Sequence, residues 1–195
     1  DFREAAGAKW RFPWPPGSGC IDVTLFHDYL RRHFDRFRPV LPVTIAVTRL
    51  RPFRPFAVSG SDLTWRHLAA SCSVPVIMPA CRLTEGLSVD GGLLTSVPSW
   101  AALDAGFDHI VAVNILPGAG GPALRTLKRA MCALSRFDPA VDGGRPDPRV
   151  IWVEPSRPLG PLRCAAKWDR TLAREWVELG RHDAGGVLRR IQQWG

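Results

Sequence analysis

The residue best placed for chemistry in this chain is Asp90, which closes the short apolar run Leu87–Val89 and precedes Gly91-Gly92. An acid at the end of a strand, followed by two residues that accept almost any backbone angle, is set at the edge of a sheet. In open α/β sheets that edge is where ligands and reactions gather. A reacting hydroxyl needs a base within hydrogen-bond reach and donors for an oxyanion, so the serines are the other half of the question. None sits in a GxSxG elbow, the strained strand-to-helix turn that exposes a nucleophilic Ser. Ser18 lies in a Pro/Gly loop, Ser59 and Ser61 flank a Gly at the wrong spacing, and Ser71 and Ser73 belong to the run ASCSVP. No serine here reads as a nucleophile.

The triplet Asp-Gly-Gly is weak evidence by itself, because it occurs twice. Asp142-Gly143-Gly144 lies among Pro, Asp and Gly, with no strand before it and no helix after it, and reads as a solvated turn. Asp90 differs in its surroundings. Upstream stand Ala70-Ser71-Cys72-Ser73-Val74-Pro75 and then Pro79; downstream, Pro98 starts a helix that Gly106 ends. Ile110–Val113 follows as the continuous apolar run of a fully buried parallel strand.

Taken together, ASCSVP, DGGLLTSVP and AALDAGFDHIVAVNI resemble the second half of the patatin-like phospholipase domain. The likeness is close over residues 69–115 and looser elsewhere: Thr44–Leu50 is similar to that family's central strand and Glu178–Ala184 to its last helix. The resemblance implies a Ser-Asp dyad that cleaves acyl esters, with Asp90 taking the Ser proton directly and Gly91 and Gly92 letting the backbone pass close to the nucleophile. It implies no cofactor. It also implies a GxSxG elbow and a Gly-rich oxyanion loop that both precede the segment at hand. The expectation is therefore a C-terminal part of a split or truncated domain, with the nucleophile on a missing N-terminal segment and no catalysis by this chain alone.

The elements that must position Asp90 are legible in outline. Residues 24–37 form an amphipathic helix with Leu25, Phe26, Tyr29, Leu30, Phe34 and Phe37 on one face, started by Asp22 or Thr24. Strands are expected over 43–50 and 53–58, and a short helix started by Ser61-Asp62 runs through Ala70. Pro122 opens a helix with Leu124, Leu127, Met131, Leu134 and Phe137 on one face, and 150–153 is a last strand. Two helices close the chain: 169–179, burying Leu172, Trp176 and Leu179 and capped by Gly180, then 184–194. Trp10, Phe12 and Trp14, in an aperiodic N-terminal loop, are expected to cover the core. The fold expected is α/β: one partial patatin-like domain over 1–195, with three α/β/α layers and a mostly parallel sheet lacking its N-terminal strands. Its open sheet edge should make the isolated chain prone to aggregate.

Bulk composition narrows the function classes. At 195 residues, 46% hydrophobic and 23% charged, the chain suits one globular domain. The net charge of +8 is carried almost wholly by Arg and contains no long basic block, which argues against nucleic-acid binding and leaves some attraction to a lipid surface. Five widely spaced cysteines without a CxxC argue against a disulfide framework or a zinc site, and five scattered histidines suggest no metal. The expected setting is cytoplasmic, with peripheral attachment to membranes, and the expected partner is a lipid or membrane-surface substrate. The alternative is a non-catalytic patatin-like domain that docks on lipid or protein. An upstream GxSxG separates the two.

Overall fold

Asp22 begins the ordered helix α1 (Thr24–Arg36), its Oδ1 accepting from the Thr24 N–H at 3.0 Å and from the Thr24 hydroxyl at 2.7 Å. In the computed structural model the residues described are 19–36, 40–115, 122–135, 137, 147–160 and 169–194. Phe37, the aromatics of the first eighteen residues, Cys164 and the second Asp-Gly-Gly triplet lie outside them. The apolar face of α1 is only half-buried: Leu30 packs on the core, whereas Leu25 is exposed.

The chain divides into two compact units, one of residues 1–95 with 128–139 and one of residues 96–127 with 140–195. The first contains β1 (Thr44–Leu50), β2 (Phe53–Ser59), α2 (Trp65–Ser71), β3 (Cys81–Leu83) and β4 (Gly86–Asp90). These strands make a sheet of order β2-β1-β4-β3 in which every pairing is antiparallel. Short turns explain the pattern. Only Arg51-Pro52 separates β1 from β2, and Thr84-Glu85 separates β3 from β4, and connections that short can join only antiparallel strands. α2 lies on this sheet through Ala69 and Ala70, both fully buried, and their small side chains let it settle against Val47, Cys81 and Leu83. The start of α2 differs from expectation. Gly60–Asp62 is a separate 3-10 turn, and Thr64 caps α2 in a reciprocal box with His67, which places Nδ1 3.0 Å from the Thr64 N–H.

The second unit holds α3 (Ser99–Asp104), β5 (Ile110–Val113), β6 (Val150–Val153) and α5 (Arg170–Ile191). β5 and β6 pair in parallel, from Ile110 opposite Val150 to Val113 opposite Val153. Ile110, Ala112 and Val150 form its core with Ala102, Leu103 and Trp152. Two readings of this half change, and one of the helix that Pro122 opens. β5 is not buried on both faces, since Val111 and Val113 are exposed while Ile110 and Ala112 are buried. The two helices expected at the end are one, running through Gly180. Contacts flank Gly180: Trp176 Nε1 donates to the Leu159 carbonyl at 3.1 Å and the Ser156 N–H donates to Asp183 at 2.9 Å. Asp169, expected as the first helical residue, is instead the N-cap, accepting from Thr171 and Leu172. In α4 (Pro122–Ser135), whose residues from 128 on belong to the first unit, Cys132 is the buried side chain among those described, and Leu134, expected inside, is 76% exposed.

The architecture is thus α/β, with one antiparallel and one parallel sheet. The mostly parallel sheet expected is not what the described strands make, because four of the six are joined as hairpins or pair antiparallel across β1 and β4.

Candidate functional site around Asp90

Asp90 is the last residue of β4, in the central part of the antiparallel sheet, opposite Val47 of β1. Its backbone turns there into a 3-10 turn over Gly91–Leu93, for which it serves as the N-cap. The carboxylate folds back on its own turn, Oδ1 accepting from the Gly92 N–H at 2.8 Å. Among the described residues this is the carboxylate's one hydrogen bond, and Oδ2 takes none. Burial pushes the Asp90 carboxyl above its ordinary value, and the Gly92 N–H opposes that rise. A half-buried acid with a raised pKa and one oxygen without a hydrogen bond is suited to accept a proton.

The two glycines have different jobs. A Cβ at Gly91 would stand 2.6 Å from the Ala46 carbonyl oxygen, so the close passage of β1 requires glycine there. At Gly92 the nearest atom would be Asp90 Oδ1 at 3.3 Å, so a side chain there would press on the carboxylate itself. Neither glycine adopts a positive φ. The close approach of β1, not freedom of backbone angle, explains Gly91.

The ASCSVP run reaches the same place from the other side. The Asp90 N–H donates to the Ser73 carbonyl at 3.1 Å, which fixes the end of β4 to the segment leaving α2. Each nearby serine hydroxyl is engaged with backbone: Ser71 donates to Leu68 at 2.9 Å, Ser73 to Ala69 at 2.8 Å and Ser88 to Gly86 at 3.2 Å. Ser73 is fully buried and also meets the Cys81 thiol at 3.3 Å. These serines therefore shape the support of Asp90 and offer it no free hydroxyl. Ser59 and Ser61 are exposed, and Ser18 lies outside the described residues.

Sequence reasoning missed two members of this neighbourhood. Cys72 is an exposed thiol whose pKa is raised, chiefly by burial of the sulfur and in part by the Asp90 charge. The Ala46 carbonyl is the surface against which the turn is pressed. A backbone group on a strand forty residues away leaves no trace in local sequence except the glycine that accommodates it. Cys20, Cys72, Cys81 and Cys132 are all free thiols, and no cluster of three metal-binding side chains occurs among the described residues. Among those residues, too, no helix is long and apolar enough to cross a membrane. The chain matches no protein-family model, and no curated protein matches it.

Proposed function

We propose that this chain is the C-terminal part of a patatin-like lipid acyl hydrolase and supplies its catalytic base, Asp90. The observation that carries this reading is the setting of the Asp90 carboxyl: half-buried at a strand end, raised in pKa, anchored through Oδ1 to the Gly92 N–H, and without a hydrogen bond at Oδ2 among the described residues. A Ser hydroxyl brought to Oδ2 would lose its proton there as it attacks an acyl carbonyl, and the same carboxylic acid would return that proton to the leaving alcohol. The Ser and the oxyanion donors are placed on a segment outside this chain, in a three-layer α/β/α domain. Esters of fatty acids, phospholipids among them, are the substrate class, and no cofactor enters the reaction.

The test is turnover of a p-nitrophenyl acyl ester by this chain joined to its upstream coding sequence, beside the Asp90→Asn variant. Asn keeps the shape and can still accept from Gly92 but cannot take a proton, so a loss of about a hundredfold or more is expected. Unchanged turnover refutes the assignment, as does an upstream sequence without a GxSxG elbow.

A further inference from the structure

The segment between the ASCSVP support and β3 breaks two rules at once. Val74, Val76 and Ile77 are all exposed, Val76 at 73%. Val76 also adopts φ +74°, a left-handed conformation that a β-branched side chain resists. It is the one non-glycine residue with positive φ among those described. Strain of this kind persists only where surrounding structure enforces it, and it gathers at functional segments. The enforcement is visible. Cys20 N–H reaches both the Val76 carbonyl at 3.0 Å and the Ile77 carbonyl at 2.9 Å, Ile21 N–H reaches Ile77 at 3.1 Å, and Met78 N–H closes on Val74 at 2.9 Å. The loop is a backbone-braced projection with apolar side chains turned to solvent. It starts one residue after Ser73, whose carbonyl holds the Asp90 N–H.

We propose that Val74–Ile77 is an interfacial anchor that inserts Val76 and Ile77 among the acyl chains of an anionic lipid surface, beside Asp90. The class of partner rests on the acyl-hydrolase reading; the anchor rests on the loop. Charge favours a lipid surface over a second copy of the chain. Among residues 40–95, Arg51, Arg54, Arg66 and Arg82 are exposed against the single exposed carboxylate Asp62, and the whole chain carries +8. Two copies of a chain carrying +8 would repel each other, whereas anionic headgroups attract basic side chains near the bilayer. Arg66 lies close enough to act on the Cys81 thiol, where the loop rejoins the sheet. A few apolar side chains together with basic residues are the two signals that peripheral attachment requires.

The test is co-sedimentation of this chain joined to its upstream coding sequence, cleared first by a spin without lipid, with vesicles made of equal parts phosphatidylglycerol and phosphatidylcholine, beside vesicles of phosphatidylcholine alone. The wild type should pellet with the anionic vesicles and far less with the neutral ones. Ile77→Asp should weaken retention roughly tenfold or more. Val76→Asn is the decisive variant, because Asn tolerates positive φ. It should raise the urea midpoint of unfolding while lowering vesicle retention, a pairing that damage to the fold cannot produce. Wild-type chain that stays in the supernatant, or variants retained as well as wild type, would overturn the proposal. So would light scattering that shows a lipid-free dimer abolished by Val76→Asn, since the loop would then cover a second copy. Retention is read without turnover, so a failed anchor leaves the Asp90 assignment standing, and an active Asp90→Asn enzyme leaves the anchor standing.

Discussion

Replacing Gly91 by Ala isolates the packing on which the Asp90 turn depends. The new Cβ would stand 2.6 Å from the Ala46 oxygen, 3.0 Å from its carbonyl carbon and 3.3 Å from the Val47 nitrogen, about 0.8 Å short of ordinary contact at the closest point. All three atoms are backbone of β1, and Val47 is fully buried and paired with Asp90, so β1 cannot retreat without disturbing the sheet centre. Overpacking costs about 1–3 kcal/mol, and contact with backbone belongs at the upper end. A Gly-to-Ala change in a permitted conformation returns about 0.4–1 kcal/mol by restricting the unfolded chain. The net loss is then about 2 kcal/mol. With an m-value of about 2 kcal/mol per molar urea, the midpoint should fall by about 1 M. Gly92→Ala is the matched control. Its Cβ meets only the end of the Asp90 side chain at 3.3 Å, so its stability should stay within about 0.5 kcal/mol of wild type. Urea unfolding followed by tryptophan fluorescence reads both. A Gly91→Ala midpoint unchanged from wild type, or a larger loss for Gly92→Ala, would refute the account of the turn.

Asp90→Asn should stabilise the fold at neutral pH even as it removes the proposed base. Burial raises the folded-state pKa above the ordinary 3.8, so the folded chain holds its proton longer than the unfolded chain does. Wild-type stability therefore falls as pH rises through that window, and the gap to the variant should be small below it and full above it; thermal melts across pH check this, and a gap that widens toward acid would refute it. Leu94 is the largest fully buried side chain among the described residues and directly follows the 3-10 turn, so Leu94→Ala should cost about 2–5 kcal/mol in the same urea assay. A loss below about 1 kcal/mol would mean that the site is less closely packed than the structure shows.

Much of the local structure was legible because its causes are local. The capping of α1 by Asp22, the start of α5 near Asp169, the helix between Pro98 and Gly106, and the strands on either side of Arg51-Pro52 follow from side-chain chemistry within a few residues. Asp90 was legible in the same sense, as an acid between an apolar run and two glycines. Wherever burial or pairing is decided across the chain, local reasoning failed. Val111 and Val113 belong to a run apolar enough for a doubly covered strand, yet one face stands open. Leu134 has the right spacing for an inner face, but Cys132 takes the buried place, with its thiol 3.5 Å from the Leu94 carbonyl. Gly180 has the composition of a helix cap, yet the helix runs through it between contacts at Trp176 and Asp183.

The sequence by itself determined that an acid would close a short strand and enter a Gly-Gly turn, because apolar burial and turn chemistry act over neighbouring residues. Only the tertiary structure decided why the first glycine is needed, which serines are tied up in backbone bonds, and that a strained valine faces solvent three residues beyond the Ser73 carbonyl that holds the acid's N–H. Those facts depend on Ala46, Ser73 and Cys20 meeting positions far along the chain, and such meetings are set by strand pairing rather than by local propensity.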